Sequence, residues 1–133
     1  MNPKFVNARV NNVDVEFEAD SGSDLNLFCR NYFRKYSNIL QRTPKLNKCD
    51  KPIFAANNTA ISSIGWFYAT MSNPFTLVKT KTYVMNQETD DAPLMSRDDL
   101  FRLGYLKIDP NGNLQQKRFR MEVKCPTNNL NKN

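Results

Sequence analysis

The sequence contains no histidine, and this absence excludes several kinds of enzyme. Without an imidazole neither a Ser-His nor a Cys-His nucleophile can be assembled, so Ser21 and Ser23 are poor candidates for attack on a carbonyl. There are only three cysteines, Cys29, Cys49 and Cys125, and they form no Cys-x-x-Cys pair. No metal site is therefore expected, and three widely spaced thiols favour a reducing compartment over a disulfide framework.

Glycine is also scarce, with only four isolated residues in the chain: Gly22, Gly65, Gly104 and Gly112. They cannot form a phosphate-binding Gly-rich loop, which argues against nucleotide chemistry. No apolar run approaches the length of a membrane span, and residues 1–4 lack the apolar stretch of a signal peptide. We therefore expect an intracellular, cytoplasmic protein with no membrane contact and no cofactor.

The composition that is present suits one small domain. Apolar residues make up 40% of the 133 residues and aromatic residues 11%, which is enough for one modest core. We expect this domain to span residues 1–126 and a flexible tail to follow over residues 127–133, where asparagine is frequent. Because a chain of this size buries a limited fraction of its surface, dimerisation would add stability.

A strand-like alternation leads directly into an Asp-Ser-Gly turn at residues 20–22. Residues 13, 15, 17 and 19 are apolar, whereas residues 14, 16 and 18 are acidic, which predicts a half-buried strand. Asp20 breaks this rhythm at the strand end, and Gly22 lets the backbone turn sharply there. This arrangement is typical of a loop that presents a single carboxylate.

A pair of such carboxylates could hydrolyse a peptide bond. Two acids a few ångströms apart cannot both ionise readily, so they share a proton and can act as base and acid towards a water molecule. Only one Asp-Ser-Gly occurs, and 133 residues leave no room for a second equivalent lobe. The partner of Asp20 must then come from a second copy, which a two-fold homodimer supplies.

Residues 5–28, which include this turn, resemble the N-terminal half of retropepsin-like aspartic proteases, the proteases of retroviruses and LTR retrotransposons. Residues 92–100 resemble the second signature of the family, in which two apolar residues precede Gly-Arg-Asp or Gly-Arg-Asn. Residues 54–65 are similar to the flap hairpin of the retrotransposon branch. The resemblance therefore covers residues 4–109, most of the chain.

The resemblance implies an all-β fold, a closed retropepsin-like β-barrel with a flap hairpin and one short C-terminal helix, assembled as a two-fold homodimer. Its substrates would be extended polypeptides, such as the junctions of a retroelement polyprotein. The residues that match the family motif imply the following roles: Asp20, Ser21 and Gly22 as catalytic residues; Asp24, Ala56, Asn57, Asn58 and Thr59 as substrate-binding residues; Arg97 and Asp98 as structural support, with Arg97 paired to Asp24.

Two departures from the family pattern keep a second hypothesis open. Ser96 stands where the family usually has glycine, and the presumed flap tip at Asn57 and Asn58 contains no glycine. The alternative is a catalytically weak or inactive domain of the same retropepsin fold that serves as a dimerisation or peptide-binding module. A third reading assigns RNA contact to the basic segment around Lys117, but nucleic acid is not the expected partner because charged strand faces are usually solvated.

Other segments give local predictions. We expect a hairpin across Asn11-Asn12, an extended segment at 25–28, a helix over 30–36 and a turn at 72–74. A second helix should begin at an N-cap serine, Ser96, with apolar periodicity up to Leu106, and another strand is predicted near 119–123. At least two of Trp66, Phe67 and Tyr68 should pack in the core, and Asp90-Asp91 should lie in a solvated loop without a catalytic role.

Overall fold

In the computed structural model, which describes residues 4–20, 22–49, 51–55, 57–108, 110–112 and 114–116, the chain begins with a β-hairpin. Strands β1 (Phe5–Val10) and β2 (Val13–Ala19) pair antiparallel. The turn residues Asn11 and Asn12 have φ values of 50° and 71°, which asparagine tolerates better than most residues. The predicted hairpin is confirmed. The strand predicted near 119–123, the tail and the basic segment lie outside the described residues.

Within the described residues, eight further strands and two helices follow the hairpin. Their bounds are β3 Asn26–Cys29, α1 Arg30–Leu40, β4 Ile53–Phe54, β5 Ala60–Ile61, β6 Ser63–Ser72, β7 Leu77–Met85, β8 Leu94–Met95, α2 Arg97–Arg102, β9 Leu106–Ile108 and β10 Leu114–Gln116. Strands therefore dominate the described residues, as the all-β prediction requires. The short helix predicted late in the chain is α2, and α1 is a second, longer one.

Six of the strands close into a hydrogen-bonded ring in the order β1-β2-β8-β3-β7-β6. The two-residue strand β8 lies between β2, to which it runs parallel, and β3, to which it runs antiparallel. Strands β6 and β7 form the longest hairpin of the described chain, and β4-β5 and β9-β10 form two separate small sheets. The chain that leaves β2 must therefore pass over β8 before it enters β3.

The interior of the ring is packed with aromatic side chains around Phe28. Its ring centroid lies 6.1 Å from Phe17, 5.1 Å from Tyr32, 5.4 Å from Tyr36 and 6.0 Å from Phe67. All four contacts are tilted or edge-on, the arrangement that aromatic rings prefer. They join strands β2, β3 and β6 to α1.

Helix α1 is four residues longer than predicted and runs to Leu40. The prediction stopped at Tyr36 because the aromatic spacing ends there, but Ile39 and Leu40 also pack against the core and extend the apolar stripe. The helix ends at Gln41, whose φ of 64° is left-handed.

Helix α2 is shorter than its apolar periodicity suggested and ends at Arg102. Gly104 has a φ of 86°, and the N–H groups of Gly104 and Tyr105 donate to carbonyls of the last turn at 3.0 and 2.7 Å. This pattern is the Schellman motif, which glycine favours because it has no Cβ. Leu106, predicted to continue the helix, lies in β9 instead.

The aromatic run at 66–68 divides between interior and surface. Phe67 is buried, and Trp66 packs against a small cluster formed by Ile53, Tyr83 and Met85. Tyr68 is 53% exposed on the outer face of β6. The prediction that at least two of the three pack in the structure is confirmed.

Asp90 and Asp91 are exposed in the loop between β7 and β8, as predicted. Cys29 and Cys49 are free thiols, and Cys125 lies outside the described residues. In the described ranges no helix is long and apolar enough to cross a membrane. No group of three metal-ligating side chains comes together in that part of the chain either.

Gly65 lies at a point in β6 that the backbone of Asn47 approaches closely. The pairing register shifts between Ser63 and Gly65, and Gly65 has a φ of 141°. A Cβ atom there would lie 2.6 Å from the Asn47 carbonyl oxygen and 2.9 Å from Cβ of Leu46. This close approach lets Asn47 pair with Trp66 and holds the segment before β4 against the sheet.

We therefore expect Gly65→Ala to lower the free energy of unfolding by about 3 kcal/mol, because the new methyl group must displace backbone rather than a flexible side chain. The matched control is Gly112→Ala, where φ is also positive but no atom lies within 4 Å of the added Cβ. That variant should lose only about 1 kcal/mol. Equal losses in urea denaturation would show that the contact with Asn47 does not constrain the fold.

Candidate active site

The structure places Asp20 immediately after β2, at the start of a compact turn. One carboxylate oxygen of Asp20, Oδ1, accepts the Gly22 N–H at 3.0 Å, and its main-chain carbonyl accepts the Ser23 N–H at 3.0 Å. Asp20 is half-buried, so part of it contacts the protein and part is exposed to solvent. The turn thus presents one oriented carboxylate to the surroundings.

The same loop is tied to the start of α2 by a main-chain hydrogen bond. The Arg97 N–H donates to the Ser23 carbonyl at 2.8 Å. The Ser23 hydroxyl donates to the Leu25 carbonyl at 2.7 Å and stiffens the return into β3. These bonds fix the loop to the start of α2, which follows β8 in the chain, and order its entry into β3.

A cleft of about 670 Å³ opens beside Asp20. Its floor is the loop at 20–25, and its other wall is the segment at 51–55 together with Asn58 and Ile61. Apolar side chains make up much of the lining: Leu25, Leu27, Ile53, Phe54, Ile61 and Leu94. Such a cleft suits an extended chain with apolar side chains, which Asp20 would meet at one side.

The wall of the cleft is a hairpin, as predicted for this segment. Strands β4 and β5 pair antiparallel, with Ile53 opposite Ile61 and Phe54 opposite Ala60. At the tip the Asn58 N–H donates to the Ala55 carbonyl at 2.9 Å, and Asn58 has a φ of 64°. Asparagine therefore takes the left-handed position for which the family pattern would suggest glycine.

Only some of the other site residues predicted from the sequence line the cleft. Gly22, Asp24 and Asn58 line the cleft together with Asp20. Asn57 and Thr59 are exposed at the hairpin tip, where the Thr59 N–H donates to Oδ1 of Asn57 at 3.0 Å, and neither lines the cleft. Ser21 and Ala56 lie outside the described residues, so their roles stay predictions.

The predicted ion pair between Arg97 and Asp24 is not formed among the described residues of the protomer. The Arg97 guanidinium lies 5.5 Å from the centre of the Phe101 ring, which is a cation–π distance. The loop is instead braced by the Arg97 main chain through Ser23. Asp98, the other predicted support, is exposed and lies 3.6 Å from Arg102.

Ser96 does not crowd the loop, although the family usually has glycine at this position. Its backbone is extended, with φ −65° and ψ 154°, so no glycine is required. Its hydroxyl accepts the Asp99 N–H at 3.1 Å and caps α2, as the sequence predicted. The Ser96 N–H in turn donates to Oδ1 of Asn26 at 2.8 Å.

A buried polar network behind the loop was missed by sequence reasoning. Asn26 and Asp99, 2% and 1% exposed, are joined by a hydrogen bond from the Asn26 amide to the Asp99 carboxylate. The carboxylate also accepts the Thr80 hydroxyl at 2.7 Å and an Arg102 N–H at 2.9 Å. The network joins β3, β7 and α2, directly behind the loop that carries Asp20.

One signal in the sequence could have pointed to this network. Asn26 stands alone within an otherwise apolar run from Leu25 to Cys29, and a lone amide in a buried strand needs partners. Its partner could not be read from the sequence, because Asp98 and Asp99 are adjacent and only the packing of α2 decides which one turns inward.

No family model matches the chain, and no match was found among curated proteins. Among solved structures, the chain is similar to EIAV protease in complex with the inhibitor HBY-793, with a TM-score of 0.61, 16% identity and coverage of 77% of this chain and 89% of that one.

Two cellular proteins give similar matches. The retroviral protease-like domain of Ddi1 from Leishmania major has a TM-score of 0.55 at 15% identity, covering 90% of this chain and 91% of that one. A retropepsin-like aspartic protease from Rickettsia conorii has a TM-score of 0.54 at 22% identity, covering 80% and 84%. The chain therefore has a retropepsin-like fold, and the resemblance drawn from residues 5–28, 54–65 and 92–100 is confirmed at the level of fold.

The two neighbouring aspartates of α2 offer a sharp test of the network. Asp99→Ala would remove the acceptor of the Thr80 hydroxyl and one acceptor of the Asn26 amide, which would keep only its bonds to the Lys81 carbonyl at 3.1 Å and to Thr80. We expect a loss of about 3 kcal/mol in the free energy of unfolding, since buried donors lose an acceptor. Asp98→Ala, next to it but exposed, should cost about 0.5 kcal/mol or less. Similar losses in urea denaturation would contradict the assignment.

Proposed function

We propose that this chain is an aspartic endopeptidase that acts as a homodimer, with one Asp20 from each protomer. The observation that supports this most directly is the position of Asp20. It follows β2 in a turn that faces the cleft beneath the 53–61 hairpin, within a retropepsin-like fold. A single protomer presents one such carboxylate, so a second copy must supply the other acid.

The proposed chemistry needs only these two carboxylates and water. With one proton shared between them, the ionised Asp20 removes a proton from water as the oxygen attacks the peptide carbonyl carbon. The protonated Asp20 of the second copy gives its proton to the carbonyl oxygen, which forms a neutral gem-diol. The first acid then passes its proton to the amide nitrogen, the C–N bond breaks, and the other carboxylate takes back a proton from the diol.

The turn and the hairpin supply the remaining parts of the proposal. The Gly22 N–H donates to Oδ1 of Asp20 and fixes the direction of the carboxylate, and Ser21 would brace the pair through its hydroxyl. Asp24, exposed in the cleft wall, would accept N–H groups of the substrate backbone. The hairpin tip, including Ala56, Asn57, Asn58 and Thr59, would cover an extended peptide as a flap. Its natural substrates would be junctions of a retroelement polyprotein.

One observation also fits the second hypothesis, a dimerisation or peptide-binding module without turnover. The cleft is mainly apolar, and Phe54 at its wall is 58% exposed. Such a surface can hold a peptide whether or not two acids meet. Ser96 and the glycine-free hairpin tip argue less for this hypothesis than the sequence suggested, because Ser96 has extended backbone and Asn58 takes the left-handed position at the tip.

Asp20→Asn tests turnover directly. We expect kcat/KM on a peptide library to fall at least about 100-fold, because an amide can neither accept nor deliver the proton. The variant should remain a dimer by analytical ultracentrifugation, and a statine-type transition-state mimic should inhibit the original chain. The matched control is Asp91→Asn, an exposed loop carboxylate, which should keep full activity. Dimers that bind peptides but never cleave them would favour the module.

The shared proton also predicts a bell-shaped pH dependence. At low pH both acids are protonated and no base remains, whereas at high pH both are ionised and no acid remains. We expect kcat/KM to peak at mildly acidic pH and to fall on both sides of the maximum. A rate that rises steadily with pH up to neutrality and stays level would contradict a dyad that needs one proton.

A further inference from the structure

A second groove of about 290 Å³ adjoins the cleft and carries a concentration of lysines. It shares Asp24, Leu25 and Lys51 with the cleft, so the two form one continuous surface. Along the outer face of β7 it is lined by Lys79 and Lys81. We call this feature, defined by Lys51, Lys79 and Lys81, the lysine groove.

Aromatic rings hold these lysines in place. The Lys81 ammonium lies 4.3 Å from the centre of the Trp66 ring, and the Lys79 ammonium lies 5.2 Å from that of Tyr68. Trp66 and Tyr68 pack edge-on at 5.1 Å, so the two cation–π contacts stand side by side on the sheet. Pre-positioned ammonium groups lose less conformational entropy when they bind an anion.

The carboxylates of the groove form no ion pair with Lys51 or Lys79. Asp98 and Asp99 both lie within 4 Å of the Arg102 guanidinium instead. Lys51 and Lys79 are exposed, and neither has an ion pair with any carboxylate in the described ranges. Two cations therefore stand beside the cleft without a carboxylate partner from the described protomer.

We propose that the lysine groove selects peptides that carry a glutamate or aspartate a few residues from the scissile bond. This inference rests on the proposed function, since it assumes that a peptide lies in the cleft. An extended chain rises about 3.3 Å per residue. When the scissile bond lies at Asp20, a peptide side chain a few residues from that bond therefore reaches the groove. The acid would sit between Lys51 and Lys79, and a neutral glutamine there would lose the attraction.

A peptide suits this groove better than a nucleic acid does. The groove leads into the cleft, and the two rings that line it, Tyr68 and Tyr83, are faced by the ammonium groups of Lys79 and Lys51, which leaves less ring surface for base stacking. Asp24 and Asp98 also line it and would repel a run of phosphates. A single carboxylate can approach the lysines and avoid these acids.

The test uses the dimeric Asp20→Asn chain and labelled eight-residue peptides that have an apolar centre and either Glu or Gln at each flanking position. Fluorescence anisotropy at low salt should show about fivefold tighter binding for Glu at one position, with the preference weakening in high salt. The preference should vanish in Lys51→Gln/Lys79→Gln. It should persist in Lys35→Gln/Lys107→Gln, which removes two exposed lysines outside the groove.

The possible outcomes separate the two proposals when cleavage by the unmodified chain is measured alongside. A lysine-dependent Glu preference without cleavage supports the groove and counts against the endopeptidase. Equal binding and equal kcat/KM for Glu and Gln peptides overturn the groove and leave the endopeptidase standing. If no peptide binds or is cleaved, both fail. A single-stranded oligonucleotide that binds more tightly than the Glu peptides, and only with Lys51 and Lys79 intact, would overturn the peptide assignment.

Discussion

The hydrogen bond from the Arg97 main chain to the Ser23 carbonyl is the contact on which the position of Asp20 depends. The described residues of the loop that carries Asp20 pair with no strand, because the loop passes over β8 between β2 and β3. It is fixed by its own turn hydrogen bonds and by the start of α2. That helix is in turn held by the buried contact between Asn26 and Asp99.

A buried carboxylate is a costly way to hold a helix, and its cost explains why the arrangement is so specific. Arg102, on the same helix, pairs with one carboxylate oxygen of Asp99, but the other oxygen has its donors, Asn26 and Thr80, only when β3 and β7 are in register with α2. A slip of both strands would leave that buried oxygen without a hydrogen-bond donor. An apolar contact would tolerate such a slip, and the loop with Asp20 would then be less well placed.

The scarcity of glycine shows how other residues meet the same backbone demands. Asn58 takes the left-handed position at the hairpin tip, and Ser96 lies in extended backbone where its hydroxyl caps α2. Where another backbone approaches or a helix must stop, Gly65 and Gly104 remain. The family departures that raised doubt about the site are therefore local substitutions that the fold accepts, and the proposed chemistry does not depend on glycine at either position.

Local patterns were sufficient to predict the β1-β2 hairpin, the turn after Asp20 and the cap at Ser96, because each depends on side chains close together in sequence. The hairpin within residues 54–65 was expected from the family resemblance. Long-range packing decided the rest. The sequence could not tell whether Asp98 or Asp99 turns inward, since adjacent residues share the same local propensity and only the partners on β3 and β7 distinguish them. Nor could it bring the lysines of β7 to the end of the cleft, because that juxtaposition depends on how the sheet ring closes around β8.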